Sequence, residues 1–318
     1  MRRLSRREAR QGNVHCAEQQ DHAMTEINPA WLRAHPLPIP AADDDKSQRG
    51  TVLVVGGCAE VPGAVMLAGE AALRAGAGRL RMATVRSVAL HLALAVPEAL
   101  VIPVDETAEG CVAAGASAAL LPRLSGCGAL LIGPGLMADG AEALVGALLD
   151  GLEPGTGVAL DAGALAGLGA HPAALRRHAG HSVVTPHAGE MARILGIPKE
   201  EVSADPLAAA RRAAGLLGTV VAMKGAHTWV VGPGGETLSC SHGHVGLATS
   251  GSGDTLAGIV TGLLARGAPP LEATAWAVWL HAEAGHRLAR RLGPLGFLAR
   301  ELLAEVPSIM ADLAAGSG

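Results

Sequence analysis

From Thr51 onward, short apolar runs rich in β-branched residues alternate with helix-length stretches of Ala and Leu. This rhythm constrains the fold more than any other feature of the chain. The runs are "TVLVVGG", "RLRMAT", "ALVIPV", "ALLIGPG", "GVALDAG", "SVVTPH", "TVVAMKG" and "TWVVGP". Segments such as "GAVMLAGEAALRAGA" and "ADGAEALVGALLDGL" lie between most of them. Near-continuous apolar strands separated by helices imply a mainly parallel sheet covered on both faces, a single layered αβα domain of class α/β. "TWVVGPGGETLSC" departs from the rhythm and reads as a β-hairpin turning at Gly-Gly. After Asp254 the chain is nearly all helix. Residues 1–48 lack periodicity, end in "PLPIPAADDDKSQRG", and are expected to form a disordered tail and linker before a domain over 49–318.

Composition removes several classes of function. With a net charge of -4 and 2% aromatic residues, the chain offers neither a basic nucleic-acid surface nor a base-stacking platform. No run of about 18 apolar residues free of charge and glycine suggests a membrane span. The N-terminus is basic but has no apolar core, unlike a secretory signal. Five cysteines, none in a C-x-x-C pair, fit a reducing cytoplasm.

In a parallel α/β sheet, ligands sit beyond the carboxyl ends of the strands. The chemistry-bearing residues follow the apolar runs accordingly: Cys58–Ala64, Gly135, Asp161, His187 and Lys224. "GSGD", Gly251–Asp254, stands where a helix begins. Its glycines let amides approach an anion, and the helix end adds about half a positive charge. Asp254 could accept a proton from a hydroxyl beside a bound phosphate; in isolation it reads more simply as a helix cap. In "MKGAHT", Lys224 could neutralise a phosphate or be a surface lysine in a turn. In "VVTPHAGEMARIL", Thr185 is a candidate cap with Pro186 at the first helical position. Glu190 either favours the helix dipole or orients a metal-bound water. The glycine turns "GGCAEVPGA" and "LIGPGL" suit ordinary turn geometry as well as a ligand. His281 and His286 in "HAEAGH" are five apart and do not share a helix face as an i, i+4 metal pair would, so they read as helix surface.

Taken in order, "GGCAEVPGA", "GAGRLRMAT", "LIGPGL", "ALDAGAL", "TPHAGE", "MKGAHT" and "TSGSGDTLAG" resemble the ADP-dependent (S)-NAD(P)H-hydrate dehydratase family of the ribokinase-like superfamily. The resemblance implies a repair enzyme that removes water from the S epimer of hydrated NADH or NADPH while ADP becomes AMP and phosphate. It implies that Ala64, Gly135, His187 and Asp254 contact the hydrated nucleotide. Lys224, Gly225, Ala226, His227, Thr228 and Gly253 would contact the adenine nucleotide. Asp254, with Gly251 and Gly253, would carry the catalysis, and Mg²⁺ would be held through Glu190 and water. A homo-oligomer, up to a tetramer, is also implied. Cys58 and Val61 stand where the family often has Ser and Tyr, and Gly163 replaces the second acid of its "DAD". Residues 1–48 are too few for the epimerase domain that many members carry, so dehydratase activity alone is expected. A superfamily kinase of the hydroxyethylthiazole or hydroxymethylpyrimidine type is the alternative; it would release a stable phosphorylated product.

Overall fold

The computed structural model describes residues 24–39, 41 and 45–315. Ten strands form one sheet: β1 (Thr25–Glu26), β2 (Thr51–Val55), β3 (Arg79–Val85), β4 (Ala99–Val104), β5 (Ala129–Ile132), β6 (Gly157–Leu160), β7 (Ser182–Val184), β8 (Val220–Met223), β9 (Thr228–Val231) and β10 (Thr237–Cys240). Their spatial order is β1-β10-β9-β8-β7-β6-β5-β2-β3-β4. From β4 through β8 all neighbours are parallel; β9 runs antiparallel to both β8 and β10, as the hairpin pattern predicts. The chain leaves β4 at one edge and re-enters at β5 beside β2. Such a reversal, here at the carboxyl ends of β2 and β5, marks the switch point at which ligands bind in open α/β sheets.

Among the described residues, twelve α-helices surround the sheet: α1 (Pro29–Ala34), α2 (Gly63–Arg74), α3 (Arg86–Ala95), α4 (Ser117–Leu124), α5 (Ala141–Asp150), α6 (Pro172–Arg176), α7 (Ala188–Leu195), α8 (Lys199–Ala204), α9 (Pro206–Leu217), α10 (Ser252–Ala265), α11 (Pro270–Leu292) and α12 (Ala299–Ala315). Two cores result. One face buries α2, α10, α11 and α12, and the other α4, α5, α7 and α9. Helix α10 matters most for function. It is apolar on all sides, and Thr255 through Ala265 are all buried, as expected of a helix enclosed by protein. Glycine lets it press on α2: a Cβ at Gly258 would stand 2.2 Å from the Ala68 carbonyl oxygen. The N-terminus of α10 is thus held rigidly at the carboxyl end of the sheet.

The segment expected to be a linker is shorter than the sequence suggests. β1 pairs with β10, and Asn28 caps α1 by accepting from the Trp31 amide at 2.9 Å. Ile27 and Leu32 are buried. Trp276 Nε1 donates to the His35 carbonyl at 2.7 Å, and Arg266 donates to that of Pro38 at 2.7 Å. Residues 24–39 therefore dock on the domain, while the rest of the expected tail up to residue 23 lies outside the described residues. Among the described residues, no helix is long and apolar enough to cross a membrane.

Leu32 is fully buried, so Leu32→Ala should lower the unfolding free energy by about 2–4 kcal/mol through lost burial and a cavity. Urea unfolding measures this; a change below about 0.5 kcal/mol would mean that α1 does not support the core.

Candidate active site

The switch point is built from backbone pressed on backbone. Gly57 N–H donates to the Pro134 carbonyl at 2.7 Å, and Gly133 N–H to that of Val55 at 3.0 Å. A Cβ at Gly56 would meet the Pro134 oxygen at 2.1 Å, and one at Gly133 the Asp161 oxygen at 1.8 Å. These glycines are needed for close approach as well as for turning. Gly135 is left-handed at φ 67°, and a Cβ on it would stand 3.0 Å from that of Ala64. Two residues assigned to the hydrated nucleotide by resemblance are thereby neighbours. Gly163 fits its place: a Cβ there would lie 2.2 Å from the Leu136 oxygen.

Beside the switch point, three strand ends deliver a charged cluster. Asp161, directly after β6, is buried. Its Oδ1 accepts from Thr185 Oγ1 at 2.8 Å and from Lys224 Nζ at 2.7 Å. Lys224 follows β8 and also lies 3.9 Å from Glu190 Oε2. Burial alone would lower the Lys224 pKa, but Asp161 and Glu190 outweigh it and hold the ammonium above its usual value. Asp254 completes the cluster from the first turn of α10. Burial raises its pKa first, Asp161 adds to that, and Lys224 opposes; the result is about 6. One ammonium among three carboxylates leaves a base poised near neutral pH.

Asp254 is not the helix cap. Gly251 occupies that position at φ 86°, with no side-chain cap bond, so the left-handed residue of the turn is Gly251. Among the described residues, the Asp254 carboxylate accepts no protein hydrogen bond. At the start of α7 the structure corrects the expectation for Thr185. The cap is His187, whose Nδ1 accepts from the Gly189 and Glu190 amides at 3.0 and 3.2 Å. Glu190 Oε2 returns an acceptor to the His187 amide at 2.8 Å, completing a capping box. Thr185 instead serves Asp161.

A cavity of about 790 Å³ opens on the other side of the α10 N-terminus. Lys224, Ser252 and Gly253 line one end, and Leu247, Leu256, Val278 and Ala282 form an apolar wall. Gly225, Ala226, Thr228 and His187 also line it. His227 does not; its ring lies 4.3 Å from that of Trp229. The cavity can take an anion at one end and a flat apolar group at the other. Gly253 faces it and Asp254 does not, as expected of consecutive helical residues about 100° apart. The reading of His281 as helix surface is overturned. His281 lines the cavity, lies 2.8 Å from Ser252 Oγ, and is held down to about 4 by burial. Asp161 was visible in the sequence only as an acid after a strand; its partner Lys224 is 63 residues away.

The family described as NAD(P)H-hydrate dehydratase matches residues 52–308. The ADP-dependent (S)-NAD(P)H-hydrate dehydratase of Xanthomonas campestris pv. campestris is 49% identical over 292 residues, 91% of this chain and 97% of the relative. A bifunctional NAD(P)H-hydrate repair enzyme of Moorella thermoacetica is 38% identical; it matches 90% of this chain, which spans 54% of that relative. Among solved structures, the ADP/ATP-dependent NAD(P)H-hydrate dehydratase of Bacillus subtilis, co-crystallized with ATP/Mg²⁺, superposes with a TM-score of 0.75. It is 28% identical, and the match covers 91% of this chain and 98% of that one. A ribokinase-like superfamily protein of Enterococcus faecalis gives a TM-score of 0.76 at 26% identity, covering 91% and 96%.

The raised Asp254 pKa has a consequence for stability. The folded protein keeps this proton to about pH 6, whereas an unperturbed aspartate loses it near 3.8. Between those values the folded state binds more protons, so this group's contribution to stability falls as pH rises through that window. Asp254→Asn should therefore melt higher than the wild type at pH 8, with the difference closing by pH 4. A variant melting lower at pH 8 would mean that the carboxylate stabilises the turn.

Proposed function

Since the chain belongs to the NAD(P)H-hydrate dehydratase family, we propose that it restores NADH and NADPH from their S-configured hydrates while converting ADP to AMP and phosphate. The observation that carries this reading is the pairing of Asp254, poised near neutral pH, with the amide-rich turn Gly251–Gly253 at the mouth of the cavity. Adenine and ribose take the apolar wall, and the phosphates reach Lys224, Gly225, Ala226, Thr228 and Gly253. The hydrated nicotinamide ring sits at the switch point near Ala64 and Gly135, with His187 at its edge. Domain 49–318 carries all of this chemistry and works as a homo-oligomer, tetramer included, in the cytoplasm.

Hydroxide leaves a ring carbon poorly and phosphate leaves well. Asp254 takes the proton of the ring hydroxyl as its oxygen attacks the β-phosphorus of ADP. A new O–P bond forms, the bond to the bridging oxygen breaks, and AMP departs. Amides of the turn, with Lys224, stabilise the charge on the transferring group. The ring nitrogen then expels phosphate, and loss of the neighbouring ring proton restores the double bond.

Among the described residues no group of three or more His, Cys, Asp or Glu side chains could hold a metal ion by itself, so a divalent cation would depend on phosphate oxygens as well. Three carboxylates share one ammonium, and Glu190 Oε2 is already engaged by the His187 amide, which suits contact through water. Mg²⁺ bound with the nucleotide would neutralise phosphate charge.

Recovery of absorbance near 340 nm from hydrated NADH with ADP tests the reading; a stable phosphorylated product would instead indicate a kinase. kcat/KM should rise with pH through about 6 as Asp254 deprotonates, then level off. Asp254→Asn should still bind ADP and lose at least about 100-fold in turnover; activity near wild type would remove Asp254 from the base role. A Cβ at Gly253 would stand 3.4 Å from Lys224 Nζ. The branched side chain of Gly253→Val would therefore intrude on the anion, weakening ADP binding and turnover together. Unchanged ADP affinity would place the phosphates elsewhere.

A further inference from the structure

Ser252 and His281 form a polar pair that the reaction above does not use. Ser252 is buried in the first turn of α10, between the cap Gly251 and the cavity-facing Gly253. His281 projects from α11, a different helix, and its Nε2 lies 2.8 Å from Ser252 Oγ. Both residues line the cavity at its anion end. Burial keeps the imidazole neutral above about pH 4, so it carries one N–H.

A neutral imidazole and a hydroxyl can share this hydrogen bond in two ways. If the serine donates, its only proton is spent on the ring, and its lone pairs are left toward the cavity. An anion there would be repelled. If Nε2–H donates, the hydroxyl proton is free, and Ser252 becomes a side-chain donor beside the backbone amides of the turn. The lining decides between them: Lys224 and the N-terminal end of α10 border this end of the cavity, whereas Asp161, Glu190 and Asp254 do not, so an anion there would meet donors. We propose that His281 is a positioning residue whose Nε2–H donates to Ser252 Oγ and so directs the serine hydroxyl proton at a nucleotide phosphate. This rests on the reading of the cavity as the ADP site.

The test combines Ser252→Ala, His281→Leu, the double variant and His281→Gln, whose amide N–H falls near the position of Nε2. ADP affinity by calorimetry and KM for both substrates are read on each. Ser252→Ala and His281→Leu should each weaken ADP by about 10-fold, as expected for a lost bond to a charged group, and leave the KM of the hydrate unchanged. The double variant should be no worse than Ser252→Ala within about twofold, because one donor is lost in either case. His281→Gln should stay within about threefold of the wild type. Losses that multiply in the double variant, or wild-type ADP affinity in Ser252→Ala, would overturn the proposal. Should His281→Leu not fold, Ser252→Ala and His281→Gln decide the matter: equal losses in both would also overturn it. Wild-type protein that binds no ADP would refute the functional reading itself, a result separate from any of these.

Discussion

The ion pair of Lys224 with Asp161 is the contact on which the site depends. It joins the ends of β6 and β8 across β7, and Thr185 from the end of β7 bonds to the same carboxylate oxygen. A buried pair of this kind is costly to break, since removing one partner strands the other charge. Its second effect is electrostatic. Burial is the first cause that lifts the Asp254 pKa to about 6; the Asp161 carboxylate adds to it, and the Lys224 ammonium, shared with Asp161 and Glu190, opposes it only in part. The ion pair thereby adjusts the charge balance around a carboxylate that burial has already shifted.

Helix α10 converts that chemistry into geometry. Buried along its length and pressed against α2 through glycine, it holds its first turn between α2 and α11. Neighbouring residues of one turn then serve two compartments: Gly253 faces the cavity and Asp254 the cluster beside the switch point. Gly253 and Asp254 are adjacent yet face different compartments because consecutive helical residues point in different directions. The arrangement carries a stability cost at neutral pH, a carboxylate held where its charge is disfavoured, which is a common property of active sites.

Much of the fold was legible in the sequence because buried parallel strands read as uninterrupted apolar runs and helices fill the gaps between them. The eight runs all became strands. β1 escaped notice: two residues, Thr25 and Glu26, are too short to show any period, and pairing with β10 alone makes them a strand. Burial of Ile27 and Leu32 in a Pro-rich stretch is equally a tertiary effect. In the site, motif order singled out Asp254, Lys224 and Glu190, which the fold brings into one cluster. It named Asp161 only as an acid after a strand and missed its partners, Thr185 and Lys224, which come from two other strand ends. His281 was judged only as half of a metal pair with His286, and its actual partner, Ser252, lies on another helix. Thr185 was assigned to the cap because threonine suits that position, with Pro186 expected to open the helix, but α7 begins at Ala188 with His187 as its cap, so both Thr185 and Pro186 precede it.

In the proposed reaction the hydroxyl oxygen of the hydrate attacks phosphorus as Asp254 takes its proton. Labelling that oxygen with ¹⁸O and following it through turnover with ADP tests this most directly. Transfer of the label into inorganic phosphate is the predicted result. Label released as water would contradict the account, because elimination would then proceed without the oxygen ever bonding to phosphorus.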